Sequence, residues 1–128
     1  NCLWVYVIGS KIEYNDGHII FLGLILFTSI SSNLAQHFFE GPSLFGGLSG
    51  IIYGMLGYCM INDLESRQYR YELPPALYLF MIVWLILGFL GVLNLFGFGN
   101  VANYAHLGGL ISGVIFAIML RLTSVQLK

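Results

Sequence analysis

The chain has 128 residues, of which 58% are hydrophobic and only 9% are charged, and its formal net charge is −1. Since about 25% of the residues in a typical soluble domain are charged, this composition excludes an ordinary soluble domain. It indicates a single domain, residues 1–128, embedded in a lipid bilayer. No basic run points to a nucleic-acid partner, and Cys2 and Cys59 lack the spacing of a metal site. We therefore expect no nucleic acid, no metal and no cofactor.

Five apolar segments, separated by polar or glycine-rich stretches, predict five helices. They cover about residues 1–12, 18–36, 49–62, 75–96 and 102–120. Pro75 suits the start of a helix, because the first helical position needs no N–H. The first segment is about half as long as the roughly 20 residues that a spanning helix needs, so we expect the chain to begin within a membrane helix. The predicted fold class is all-α, a polytopic transmembrane helical bundle.

The basic residues predict the orientation of this bundle. All five lysines and arginines fall in stretches that share one face if the helices alternate in direction, namely 11–17, 63–74 and 121–128. The loops of the opposite face contain none. Because basic loops stay in the cytoplasm, the end of the bundle that carries Ser49 is predicted to face the extracytoplasmic side.

Ser49 lies at the start of the third predicted helix, in "GGLSGIIYG", residues 46–54. About 13 helical residues after it rise only about 20 Å, against a hydrocarbon core of about 30 Å. The helix is therefore expected to begin about 10 Å below the outer membrane surface. Residues 41–48 would then line a protein cavity, since lipid does not tolerate exposed irregular backbone at that depth. A serine at the floor of such a cavity is a candidate nucleophile, although helix packing alone also explains the glycines beside it.

His106 is the one histidine within the body of an apolar segment, "ANYAHLGGLISG", residues 102–113. An ionisable residue inside a membrane is a candidate functional residue. Small residues at helical spacing let two helices approach closely. Such glycines lie beside both candidates: Gly109 and Gly113 after His106, and Gly50, Gly54 and Gly57 after Ser49. If these two stripes face each other, the Ser49 hydroxyl comes within hydrogen-bond reach of His106.

No Asp or Glu lies near His106 in the predicted topology, so a Ser-His pair is expected rather than a triad. Tyr53, one turn after Ser49, and Asn103, one turn before His106, are candidates to orient the imidazole, and an ordinary core position is the alternative for Tyr53. Because Ser49 opens a helix, its own N–H and that of Leu48 have no intrahelical partners. Both are candidate donors to an oxyanion.

The stretches around the two candidates, "GGLSGIIYGMLGY" and "ANYAHLGGLISG", resemble the serine and histidine motifs of the rhomboid intramembrane serine proteases, of the bacterial type. The resemblance covers essentially all 128 residues, and the five segments are similar to core helices two to six. It implies a rhomboid-like fold whose first core helix is absent from this chain. It also implies that Ser49 is the nucleophile, that His106 is the general base, and that Tyr53 packs against the imidazole.

The same resemblance implies two further site residues, Asn1 as an oxyanion donor through its side chain and Gly47 as a supporting residue of the serine motif. It implies that the substrates are transmembrane proteins, cleaved in or near a membrane helix. A multi-pass protein of the bacterial inner membrane is expected, and its oligomeric state stays open. Because the family has an upstream scaffold, we expect residues 1–128 alone to have little or no activity.

Two other classes of function remain open from the sequence. A catalytically inactive rhomboid-like protein would bind transmembrane clients without cleaving them, but such proteins lose the serine or the histidine, and this chain has both. A channel or transporter would need polar side chains along one path, whereas Asn33, Gln36 and Asn94 are scattered along the chain. A serine protease is the prediction that the residues favour.

Overall fold

The computed structural model describes residues 2–41, 48–66, 71–95 and 103–127. Within these ranges the chain forms helices and no strand, which confirms the prediction of an all-α helical bundle. The helices are α1 (Cys2–Asp16), α2 (His18–Glu40), α3 (Leu48–Ser66), α4 (Pro75–Phe89), α5 (Val92–Leu95) and α6 (Asn103–Leu127).

The single helix expected over residues 75–96 is instead two helices. α4 ends at Phe89, and α5 begins at Val92. Between them Gly91 has a φ of 76°, a left-handed conformation that glycine adopts without the steric cost of a Cβ. The Gly91 N–H donates to the Gly88 carbonyl at 3.2 Å and closes the turn.

The other long helices extend beyond their predicted C-terminal ends, because hydropathy marks only the apolar part of a helix. α2 continues to Glu40 and ends at Gly41, whose φ is 78° and whose N–H donates to the His37 carbonyl at 2.9 Å. α3 has 19 residues, and at 1.5 Å per residue it measures about 28 Å, close to the hydrocarbon thickness. α3 is therefore longer than the roughly 13 residues expected after Ser49, and its length does not place Ser49 below the outer membrane surface.

α3 is the centre of the bundle, and every residue from 50 to 59 is buried. Its backbone touches that of α6: a Cβ built on Gly109 would overlap the Gly50 carbonyl oxygen, and one on Gly113 would overlap that of Gly54. The two glycine stripes therefore face each other, which is the condition that the sequence analysis set for bringing Ser49 close to His106. This close approach fixes the first turn of α3 beside the first turn of α6.

Two of the described helices are long and apolar enough to cross a membrane, by length and composition. They are α2, with a mean hydropathy of 1.7, and residues Asn103–Thr123 of α6, with 1.8. α2 also exposes a stripe of large apolar side chains: Ile19, Leu22, Leu26, Ile30 and Leu34. Such a surface suits contact with lipid. Five membrane spans remain a prediction.

Candidate active site

Ser49 and His106 line the same cavity, which has a volume of about 240 Å³. Ser49 lies in the first turn of α3, and His106 lies in the first turn of α6. Side chains of α1, α3 and α4 complete the lining: Trp4, Ile52, Tyr53, Phe80, Met81 and Trp84. The structure thus brings the predicted pair to one cavity, although no hydrogen bond joins the two side chains within the described part of the chain.

The imidazole of His106 is held by an aromatic neighbour. His106 is only 5% exposed, and its ring stacks on that of Tyr53 with the centroids 4.7 Å apart and the planes at 25°. Its Nδ1 is buried and has no hydrogen-bond partner among the described residues. The stacking fixes the plane of the imidazole ring, and it places Tyr53 where the sequence expected it.

Tyr53 has a second contact, through its hydroxyl group. The hydroxyl donates a hydrogen bond of 2.7 Å to the carbonyl oxygen of Met81 in α4. The ring is 2% exposed, so the phenol is a buried link between α3, the imidazole of His106 and the backbone of α4.

Asn103 also bonds α4 and makes no hydrogen bond to His106. Its Nδ2 donates to the Gly88 carbonyl at 3.0 Å, and its Oδ1 is buried without a partner among the described residues. Asn103 lies one turn before His106 in α6, but its hydrogen bond runs to α4. The contact that would orient the imidazole is not present in the described part of the chain.

The amide groups proposed as oxyanion donors belong to the N-terminal turn of α3. This helix begins at Leu48, so the N–H groups of Leu48 and Ser49 have no carbonyl four residues earlier within the helix. The positive end of the helix dipole lies at the same place. The turn can therefore stabilise a developing negative charge beside Ser49. Asn1 and Gly47, the other predicted site residues, lie outside the described residues.

Gln36, a buried polar residue, lies near the site. No role in the site was predicted for it from the sequence. Its Oε1 accepts a hydrogen bond of 3.0 Å from the Ala105 N–H, which is an unpaired amide of the first turn of α6. Its Nε2 donates to Glu40 Oε2 at 2.6 Å. Gln36 thus caps the helix one residue before His106.

One signal in the sequence could have identified Gln36. It ends a stripe on α2 that repeats every four residues and is buried throughout: Leu24, Thr28, Ser32 and Gln36. Residues at this spacing share one face of a helix, so the three polar members lie on one face of α2. Only the tertiary structure shows that Ser32 and Thr28 lie against Gly50 and Gly54 of α3, whereas Gln36 reaches the start of α6.

Comparison with known proteins gives a consistent result. The chain matches the family model of the rhomboid domain over residues 1–123. It is similar to proteins called rhomboid protease GlpG from Serratia proteamaculans (strain 568), Yersinia pseudotuberculosis serotype I (strain IP32953) and Yersinia pestis (strain Pestoides F), with 33% identity over 117 residues in each case. The alignments cover 91% of this chain and 40% of each relative, so the chain spans about two fifths of the length of the curated relatives it matches.

Proposed function

The chain belongs to the rhomboid family, and on that premise we propose that it carries the catalytic centre of an intramembrane serine protease. The similar relatives are named as rhomboid proteases, and the family together with two membrane-capable helices indicates an integral membrane protein. The observation that carries the proposal is the single cavity lined by both Ser49 and His106. A serine needs a base within reach to become a nucleophile, and the contact of the two glycine stripes, which brings the first turns of α3 and α6 together, supports that role.

In the proposed reaction, Ser49 Oγ attacks the carbonyl carbon of a peptide bond while His106 accepts the hydroxyl proton. The carbonyl electron pair moves onto the oxygen, and the resulting oxyanion is stabilised by the N–H groups of Leu48 and Ser49 and, as the family resemblance implies, by the Asn1 side chain. The C–N bond then breaks, and the leaving amine takes the proton from His106. A water molecule then loses a proton to His106 and attacks the acyl-enzyme carbonyl. The ester C–O bond breaks, Ser49 Oγ takes the proton back from His106, and the carboxylic acid is released.

The proposed substrate is a peptide segment in or near the transmembrane helix of another protein. The lining of the cavity supports this, because α1 and α4 contribute the large apolar side chains of Trp4, Phe80, Met81 and Trp84. Such walls favour an apolar segment over a charged one. From the distribution of lysine and arginine we place the site on the extracytoplasmic side of a bacterial inner membrane.

A serine-directed fluorophosphonate probe tests the proposal on the intact protein in detergent, together with cleavage of a transmembrane test substrate. We expect the parent protein to be labelled and to cleave, and Ser49→Ala to lose both. Ser112→Ala is the matched control, because Ser112 is a buried serine of α6 whose hydroxyl donates to the Gly109 carbonyl at 2.9 Å, its one hydrogen bond among the described residues. Cleavage by Ser49→Ala would refute the mechanism, whereas an unlabelled parent that still binds the substrate would favour the non-catalytic alternative.

A further inference from the structure

α4 is a wall of the catalytic cavity, and it is weakly embedded in the bundle. It contributes Phe80, Met81 and Trp84 to the lining. Of its 15 residues, only Leu77, Leu85 and Gly88 are buried, whereas α3 is buried continuously from residue 50 to 59. Side-chain packing therefore restrains α4 much less than it restrains the two helices that carry Ser49 and His106.

Near the start of α4, the Tyr78 hydroxyl donates to Asp63 Oδ2 of α3 at 3.4 Å. Two further hydrogen bonds join α4 to α3 and α6 closer to the site, and each comes from a residue one turn away from the proposed dyad. The Tyr53 hydroxyl donates to the Met81 carbonyl at 2.7 Å, and Tyr53 follows Ser49 by one turn of α3. Asn103 Nδ2 donates to the Gly88 carbonyl at 3.0 Å, and Asn103 precedes His106 by one turn of α6. Met81 and Gly88 are two turns apart, so both acceptors lie on the same face of α4.

The packing beside the Tyr53 bond is incomplete. Tyr53 and Met81 line the catalytic cavity, and they also line a second, small cavity of about 10 Å³ with apolar neighbours that include Leu56 and Leu110. The hydrogen bond thus lies between two gaps in the contact of α4 with α3 and α6. Since neither gap supplies dispersion contacts, polar bonds take a larger share in fixing α4 there.

We propose that Tyr53 and Asn103 are paired positioning residues that hold α4 at a fixed distance from Ser49 and His106. Both bonds end on main-chain carbonyls, so they set the position of the helix whatever side chains it carries. The part of this inference that concerns substrate rests on the proposed function: α4 then becomes the wall against which the substrate lies. The position of α4 itself is measurable without any catalysis.

Spin-label distance measurements on the intact protein test the position of α4. With the native cysteines replaced, one label pair joins Leu79 of α4 to Ile111 of α6, both exposed. A second pair joins Ile30 of α2 to Ile111 and reports on the rest of the bundle. We expect Tyr53→Phe and Asn103→Leu each to broaden or lengthen the α4–α6 distance distribution, and the double variant to do so most, while the α2–α6 distribution stays unchanged.

Two matched variants remove the same chemical groups at positions that make no hydrogen bond to α4 among the described residues. Tyr104→Phe deletes a neighbouring phenol hydroxyl that makes no hydrogen bond within the described part of the chain, and it keeps the ring contacts with Phe39 and Phe89. Asn33→Leu deletes an amide on α2. An α4–α6 distribution in the double variant equal to that of these controls would overturn the proposal. Broadening of both label pairs would also overturn it, because the effect would then be general loosening.

Steady-state kinetics of the Tyr53→Phe variant provide a second test of the positioning role. Tyr53→Phe keeps the ring that stacks on His106, so the proton-transfer geometry is retained while the α4 wall is released. We expect KM for a transmembrane test substrate to rise about 2- to 10-fold, the fold-change that corresponds to one hydrogen bond, with a smaller change in kcat. A fall in kcat at constant KM would overturn the positioning role. The two proposals can also fail separately. If the variants change the α4–α6 distance but the fluorophosphonate probe does not label Ser49 in the parent protein, the positioning role is supported and the protease function is refuted.

Discussion

The two ends of α3 differ in how their buried polar groups are satisfied. At the C-terminal end, Asp16 Oδ2 accepts hydrogen bonds from Tyr58 at 2.9 Å and Tyr71 at 2.5 Å, and Asn62 donates to the Tyr71 hydroxyl at 3.0 Å. At the N-terminal end, His106 Nδ1 and Asn103 Oδ1 are buried with no partner among the described residues. At one end of the bundle, the buried polar groups bond one another in a network. At the other end, two buried polar atoms beside the cavity have no partner among the described residues.

This difference distinguishes the end of the bundle that stabilises the fold from the end that forms the candidate site. A buried polar atom without a partner costs about 1–3 kcal/mol, and such local costs occur where a protein binds or reacts. At the network end the cost is avoided: burial, together with the hydrogen bond to Asp16, raises the pKa of the Tyr71 hydroxyl, which therefore stays protonated and donates. The network joins α1, α3 and residues 71–74, and we infer that it contributes to stability while the cavity end contributes to chemistry.

The largest expected effect comes from the cavity end. His106→Ala should lower the rate of cleavage by on the order of 10⁴-fold or more, because a nucleophile and its base act as one unit. It should also suppress fluorophosphonate labelling of Ser49, while the thermal unfolding temperature changes little. Turnover of a transmembrane test substrate, labelling and thermal unfolding are measured on the same preparation. Normal labelling of Ser49 in this variant would contradict the assignment of the cavity end as the site, since a group other than His106 would then activate Ser49.

The next largest effect is expected at the glycine contact between α3 and α6, which holds together the cavity end and the network end of the bundle. Gly113→Ala should destabilise the bundle by about 1–3 kcal/mol, a usual cost of overpacking, because the new methyl group would overlap the Gly54 carbonyl oxygen. Activity should fall as well, since α3 and α6 carry the two site residues. Gly23→Ala is the control: among the described residues its Cβ would meet the ring of Phe116, at an ordinary 3.4 Å, and nothing closer. Thermal unfolding and turnover of both variants check this, and equal stability of the two would contradict the close contact of the helices.

A smaller and more selective effect is expected at the network end. Tyr71→Phe should lower the free energy of unfolding by about 1–2 kcal/mol, because it removes a buried hydrogen bond to a carboxylate. It should leave kcat and KM unchanged at a temperature where the variant is folded. Tyr14→Phe, at a position that is 91% exposed, is the control and should change neither quantity. Loss of activity in folded Tyr71→Phe would show that the two ends are coupled.

The last prediction leaves stability and activity unchanged and assigns a side of the membrane to each end. Single cysteines at the exposed positions Tyr14 and Phe38, introduced after replacement of Cys2 and Cys59, are treated with a membrane-impermeant thiol reagent. The cysteine at 38 should react in intact spheroplasts, and the one at 14 should react only after the cytoplasmic side is opened. The reverse pattern would place the site in the cytoplasm.

Several features of this protein follow from the sequence because they depend on residue type and local periodicity. Apolar segments of helical length predict an all-α bundle, and glycine stripes at helical spacing allow the helices of Ser49 and His106 to touch. The overlap of Gly109 with Gly50 confirms that contact. Tyr53 was predicted to neighbour the imidazole from its position one turn after Ser49, together with the family resemblance, and the 4.7 Å ring stacking places it there.

Other features were decided by the tertiary structure alone. Gln36 caps α6 only because the end of α2 lies beside the start of α6, and Asn103 bonds the Gly88 carbonyl only because α4 passes there. α3 continues through the polar residues after 61, where Asn62 bonds Tyr71. A polar side chain can form hydrogen bonds with many partners. The residue type determines which donors and acceptors it has, but the sequence alone does not show which group lies beside it. Hydrophobic periodicity fixes which face of a helix is buried, whereas the partner of each buried hydrogen bond is fixed only when the helices pack.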